Sequence, residues 1–282
     1  MSRTLFVSDL DGTLLGPDSK LSQTTVTLLN HAISRGILFT VATARTPATV
    51  SHLLKDVNMQ IPAIVMTGGA LWDKNTGRYS DVQYFRPEQV KSVVEAYRRP
   101  DGGGFLFTLP PSAERHDIFE IYHINALNEV EREFMEERLS SPFKHFNVPA
   151  SGSSEIPAHI EDAVLFFGMQ PQEKAEKIYS CLKEIKGINP MLYHDWHGDL
   201  VAEIEAFPEE TTKAKAIRRL ATHVGADRIV VYGDNVNDLS MMRAADWSVA
   251  VGNALEEVKM AADEVIGSNA ADAVARHILS FR

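Results

Sequence analysis

Short apolar runs that stop abruptly at polar turns alternate with helical segments at both ends of the chain. Residues 4–10 form such a run and end at Asp11-Gly12. A helical pattern over 21–34 follows, closed by Arg35-Gly36. A partly β-branched run over 37–42 then ends at Thr43 and Arg45, a helix-like segment covers 47–55, and 61–66 forms a third apolar run. Strand, helix, strand, helix, strand is the pattern of a parallel sheet wrapped by right-handed crossovers. It returns near the other end: helix 212–223, strand 228–232, turn Gly233-Asp234-Asn235, helix 238–245, strand 247–251. The two ends read as one domain.

Between them the pattern changes. Helix 87–97 precedes strands over 105–109 and 117–124, then helix 127–139 and a polar, Ser/Pro-rich stretch over 140–157. Strand 163–169, helix 172–185 and strands 191–194 and 200–205 complete the segment. Consecutive strands imply antiparallel pairing. The expected fold class is therefore α/β, a Rossmann-like parallel-sheet core formed by 1–82 and 207–282, with an α+β domain inserted over 83–206. A chain of 282 residues has room for both. Hydrophobic residues at 44% and charged residues at 23% place it among globular proteins.

Charge narrows the partners. Lys and Arg number 28 against 38 Asp and Glu, a net charge of −10, which argues against a nucleic-acid or anionic-membrane partner. An acidic protein handling an anionic substrate must concentrate positive charge locally, through a metal ion or a few placed cations. Cys181 is the one cysteine, so no intrachain disulfide forms; acids at Asp9 and Asp11 interrupt any leader-like apolar region, and the other apolar runs are too short to span a bilayer. Cytoplasmic location is the resulting expectation.

Asp9-Leu10-Asp11-Gly12-Thr13 lies at the C-terminal end of the first strand, where open α/β sheets bind ligands. One carboxylate there can serve as nucleophile and the other as proton donor; Asp-Gly also reads as simple turn punctuation. Thr43, Ala44 and Arg45 offer a hydroxyl and backbone N–H groups at a helix start, suited to phosphate oxygens, although an N-cap uses the same residues. Lys213 opens a helix just after the insertion, placed to neutralise phosphate charge or to be an ordinary surface lysine. Gly233-Asp234-Asn235-Val236-Asn237-Asp238 ends another core strand. Two acid-bearing strand ends facing one another are costly without a cation between them, and Mg²⁺ prefers such oxygen ligands.

In this order the elements Asp9-x-Asp11-Gly12-Thr13, Thr43-x-Arg45, Lys213 and Gly233-Asp234-x-x-Asn237-Asp238 resemble the haloacid dehalogenase-like superfamily, and within it the Cof-type sugar-phosphate phosphatases with an inserted cap. The tail from Val249 to Ala254, Val258-Lys259 and Ala261-Ala262 is similar too. The resemblance implies that Asp9 forms an aspartyl-phosphate, while Asp11 protonates the leaving alcohol and later activates water. It further implies that Thr43 and Lys213 hold the phosphoryl group and that Arg45 reaches the substrate. Mg²⁺ would rest on Asp9, the Asp11 carbonyl and Asp234, with Asp238 and Asn237 orienting that site. Gly68 stands where the family usually has Asn, and Ala44 and Ala214 where it commonly has Gly.

Other polar clusters carry less. His194-Asp195-Trp196-His197 reads as a hairpin connection with Gly198-Asp199, and as a transition-metal site only secondarily; His116 and His123 read as structural. The expected function is Mg²⁺-dependent hydrolysis of a small phosphorylated metabolite, with a phosphosugar mutase or a phosphoacceptor signalling module as alternatives.

Overall fold

A computed structural model describes residues 3–110, 118–147, 156, 160–196 and 201–281. The chain divides into two compact units, Met1–Asp81 with Thr211–Arg282, and Val82–Glu210.

The first unit opens with β1 (Thr4–Ser8), α1 (Gln23–Ser34), β2 (Leu38–Val41), the single turn α2 (Pro47–Val50), and the short strands β3 (Ala63–Val65), β4 (Ala70–Asp73) and β5 (Arg78–Ser80). Ser22 caps α1 by accepting from the Thr25 N–H, and Val26, Leu29, Ala32 and Ile33 bury one helical stripe. The second unit supplies α3 (Pro87–Arg98), β6 (Gly104–Thr108), β7 (Phe119–Ile124), α4 (Glu129–Glu136), β8 (Lys144–Asn147), β9 (Ala163–Pro171), α5 (Gln172–Lys183), β10 (Ile188–Trp196) and β11 (Val201–Pro208). The first unit resumes with α6 (Lys213–Val224), β12 (Arg228–Gly233), α7 (Leu239–Met242), β13 (Trp247–Ala250), α8 (Glu256–Ala261), β14 (Glu264–Val265) and α9 (Ala273–Ser280).

The core sheet runs β14-β13-β12-β1-β2 and every pairing in it is parallel. The interior strand β1, flanked by β12 and β2, is apolar on both faces, with Leu5, Phe6 and Val7 all buried, as a doubly covered parallel strand requires. Because all five strands point one way, the chain leaves β1, β2 and β12 at the same edge of the sheet.

The third apolar run departs from the expectation of a strand in that sheet. β3 meets the chain just beyond β2 through one parallel bridge, Ala42 to Ile64, and otherwise pairs antiparallel with β4. The cause is local: Met66, Thr67 and Gly68 all adopt left-handed φ values, 52°, 55° and 98°, which folds the chain straight back on itself.

In the second unit the sheet runs β10-β11-β9-β6-β7-β8. Its pairings are antiparallel except β7 with β8. Val93 and Tyr97 of α3 and Ile178 and Leu182 of α5 pack on one face against Leu106, Phe166 and Ile204. Glu131 is buried yet satisfied, accepting from the N–H groups of Asn128 and Met169 and from the Gln170 amide, and so ties α4 to β9. β8 lies inside the stretch read as merely polar, because Lys144-His145-Phe146-Asn147 has one apolar residue to betray it. β10 and β11 pair as a hairpin, Trp196 opposite Val201; His197 to Asp199 lie outside the described residues, as does His116. His123 is buried with Nδ1 on the Asn125 carbonyl, a structural role. No described helix is long and apolar enough to cross a membrane.

Candidate active site

Asp9 is the first residue beyond β1. Its N–H donates to the Tyr232 carbonyl of β12 at 3.0 Å, while Ala42 N–H donates to the Ser8 carbonyl at 2.9 Å, so neighbouring strands clamp the backbone on both sides. The chain then makes one wide turn, Leu10–Leu14, with Asp11 extended and Gly12 at φ 76°. Gly12 is required twice over: that φ is unfavourable for side-chain-bearing residues, and a Cβ there would overlap the Asp234 carboxylate. The turn sends the two carboxylates of Asp9-x-Asp11 to different environments. Asp9 is 7% exposed, whereas the Asp11 side chain is 51% exposed.

Lys213 is the first residue of α6, behind the Thr212 cap, whose hydroxyl accepts from the Lys215 N–H. At 2% exposure it is no surface lysine. Its Nζ donates to Asp9 Oδ1 at 2.5 Å and to Asp238 Oδ1 at 2.8 Å. Asp238 is fully buried, and its other oxygen accepts from the N–H groups of Asp234 and Asn235 at 3.0 and 3.3 Å. Gly233 is what lets Asp238 close beneath this turn, since a Cβ at 233 would lie 2.6 Å from the Asp238 Cβ. Asp234 is held from the other side by the Thr13 hydroxyl, which donates to its Oδ1 at 2.6 Å.

Carboxylate oxygens of Asp9, Asp234 and Asp238 lie within 4.8 Å of one another. Three carboxylates around one ammonium leave two negative charges uncompensated. Burial, followed by Asp238 and Asp234, pushes the Asp9 carboxyl up to about 7 against the opposing pull of Lys213. Burial likewise raises Asp234, and the neighbouring acids hold the Lys213 ammonium well above the usual lysine range despite its burial. A divalent cation fits this charge deficit and this all-oxygen donor set. Asp238 has both oxygens engaged, so Asp9 and Asp234, each with one oxygen outside those hydrogen bonds, are the side chains able to ligate it.

Thr43 follows β2 and leaves the sheet at the Asp9 edge, in keeping with the Ser8–Val41 register. It is buried; its N–H donates to the Ile64 carbonyl at 3.0 Å and its hydroxyl accepts from the Arg45 N–H at 3.1 Å. The left-handed segment after β3 braces this loop, Met66 N–H donating to Arg45 O and Thr67 N–H to Thr43 O, both at 3.0 Å. Arg45 forks onto Asp11, Nε to Oδ2 at 2.8 Å and Nη2 to Oδ1 at 2.6 Å. Ala44 is exposed on the loop. Asn237 is also exposed, and among the described residues no hydrogen bond ties it to the carboxylates. Two supporting groups were not singled out from the sequence: Thr13, which sits in the first motif with no task assigned, and Asn253, whose amide donates to the Gly12 carbonyl at 2.7 Å. Asn253 stands in the tail string Gly252-Asn253, and its distance in sequence from Gly12 hid the contact.

A family model described as haloacid dehalogenase-like hydrolase matches residues 6–278. The chain is 29% identical to the 5-amino-6-(5-phospho-D-ribitylamino)uracil phosphatase YwtE of Bacillus subtilis, over 96% of this chain and 95% of that one. It is 24% identical to the pyridoxal phosphate phosphatase YbhA of Escherichia coli, over 99% of each. A haloacid dehalogenase-like hydrolase from Bacteroides thetaiotaomicron shares the fold at TM-score 0.74 and 22% identity, covering 99% of both chains.

Proposed function

Because the chain belongs to the haloacid dehalogenase-like hydrolases and is a phosphoric monoester hydrolase of that family, we propose that it releases phosphate from a small metabolite, a sugar phosphate foremost, with Asp9 as nucleophile and Mg²⁺ as cofactor. One observation carries this reading: Lys213 and Asp9, 204 residues apart in sequence, meet at 2.5 Å at the C-terminal edge of a parallel sheet. A buried ammonium and a buried carboxylate are seldom brought together for stability alone, because desolvation offsets much of their attraction.

In the proposed reaction an Asp9 oxygen attacks phosphorus, the bond from phosphorus to the leaving oxygen breaks, and Asp11 gives that oxygen its proton. The Asp11 carboxylate then takes a proton from water as the water oxygen attacks the aspartyl-phosphate, which frees inorganic phosphate and restores Asp9. Lys213 and the Thr43 hydroxyl steady the equatorial oxygens, with the Ala44 N–H as the loop's further donor, since the N–H groups of Thr43 and Arg45 already donate to the Ile64 carbonyl and the Thr43 hydroxyl. Asp9, the Asp11 carbonyl and Asp234 would hold Mg²⁺, which supplies charge neutralisation to the phosphoryl group; Asp238 positions Lys213 and the turn that carries Asp234, and Asn237 borders it. Positioning and charge neutralisation carry most of the catalysis in phosphoryl transfer. The unit Val82–Glu210 is assigned selection of the leaving group.

The relatives' names, a 5-amino-6-(5-phospho-D-ribitylamino)uracil phosphatase and a pyridoxal phosphate phosphatase, support a small-metabolite substrate. The test is a panel of phosphorylated sugars, nucleotides and cofactors incubated with the protein and Mg²⁺. Free phosphate is the expected product, lost on chelation. An isomerised ester would identify a mutase instead, and a long-lived phosphoprotein a signalling switch.

A further inference from the structure

Asp11 stands apart from the other acids of the site. Asp9, Asp234 and Asp238 share one cluster, with Lys213 and Thr13 inside it, whereas Asp11 points outward and both its oxygens accept from the Arg45 fork. Both oxygens are turned onto the guanidinium, so Asp11 has to leave the fork to present its carboxyl to a leaving group. The contact is also easily exchanged: the side chains of Arg45 and Asp11 are 31% and 51% exposed, and ion pairs this wet hold weakly. The Arg45 backbone, by contrast, is fixed, its N–H on Thr43 Oγ1 and its carbonyl on the Met66 N–H. The guanidinium therefore pivots about a rigid base beside the loop that faces Asp9. A dianionic phosphate offers it the same planar pair of acceptors that Asp11 offers.

We infer that Arg45 is a positioning residue that latches Asp11 in the resting protein and is drawn off it by the phosphate of the ester, so that the proton donor is freed only when a substrate anion is in place. The inference rests on the phosphatase reading of the same site. Arg45 answers to two competing anions, Asp11 and phosphate. A phosphorylated substrate thus arms its own leaving-group acid, while a neutral compound entering the site leaves Asp11 held.

The experiment is a double-mutant cycle read by calorimetric binding of inorganic phosphate in the presence of Mg²⁺, using the wild type, Asp11→Ala, Arg45→Gln and the double variant. Removing Asp11 lifts general repulsion in both backgrounds, but only with arginine at 45 does it also release a competitor. The gain in phosphate affinity from Asp11→Ala is therefore expected to be larger with arginine than with glutamine at position 45, by about two- to fivefold, the range an exposed ion pair supports. Equal gains in the two backgrounds would overturn the latch while leaving the phosphatase reading intact. Failure of the wild type to bind phosphate at all would overturn both. Circular dichroism and urea melts confirm that each variant is folded before its titration is counted.

Discussion

Asp9→Asn separates two things that the buried carboxylate combines, the chemistry it performs and the cost of keeping it charged. Burial is the largest influence on Asp9 and raises it; Lys213 opposes, Asp238 and Asp234 add to the rise, and the outcome is about 7 against an ordinary value of 3.8. A carboxyl raised on folding binds its proton more tightly in the native than in the unfolded chain. Its stabilising contribution is complete below the unfolded value and is lost as pH climbs through about 7. The gap between 3.8 and about 7 corresponds to about 4 kcal/mol by which ionised Asp9 weakens the metal-free fold at alkaline pH. Asparagine has nearly the same shape and carries no charge at any pH. In urea melts with chelator at pH 8, Asp9→Asn is expected to be more stable than the wild type by up to about 4 kcal/mol, with the difference shrinking toward pH 5. Mg²⁺ at a hundred times its dissociation constant should return about 2.7 kcal/mol to the wild type and little to the variant. Phosphate release should vanish in the variant. A variant that is less stable than wild type at pH 8 without metal, or that still turns over, refutes the reasoning.

Lys213→Met strands Asp9 and Asp238 without their cation; a loss of about 3–5 kcal/mol in urea melts is expected, together with loss of phosphate release. Gly68→Asn, which restores the residue common in the family, should not improve the enzyme, because φ is 98° and the new Cβ would overlap the Thr212 carbonyl ahead of Lys213. Thermal melts should show a destabilisation of at least about 1 kcal/mol, and an unchanged melting point would count against the strain. In the second unit, burial pushes Glu203 to about 7 and Glu205 to about 8, the latter also repelled by Glu203. Both are raised, so their contribution is present below pH 4.5 and fades as pH passes 7 to 8; Glu205→Gln should flatten that decline in melts between pH 5 and 8.

What the sequence disclosed follows from where its signals are local. Strand-ending turns such as Asp9-x-Asp11-Gly12 and Gly233-Asp234 carry their own punctuation, so both the parallel sheet and the acids at its edge were legible. By its own window Lys213 gave only a helix start, and the ordered set of motifs placed it at the phosphate site; that it is buried depends on Asp9 and Asp238 lying across from it, which no window of neighbouring residues contains. The fate of β3 was hidden for a related reason. Its composition suits a parallel strand, but left-handed Met66 and Thr67, residues that rarely adopt such φ values, decide its partner. The pairing of Arg45 with Asp11 is a competition among rotatable ends of side chains, and residue order holds no record of how that competes.

The strand order has a bearing on how the protein is made. β1 has β2 on one side and β12 on the other, with Thr4 paired to Arg228, so β1 leaves the ribosome well before the strand that covers its second edge. Throughout that interval an apolar strand with unpaired N–H and C=O groups is an open template for another nascent chain. Val82–Glu210, whose strands pair wholly among themselves, is free of that delay. Slower translation of residues 83–210 is therefore expected to lower the yield of folded protein even for variants whose finished fold is unimpaired, a change that soluble yield from recoded genes would read.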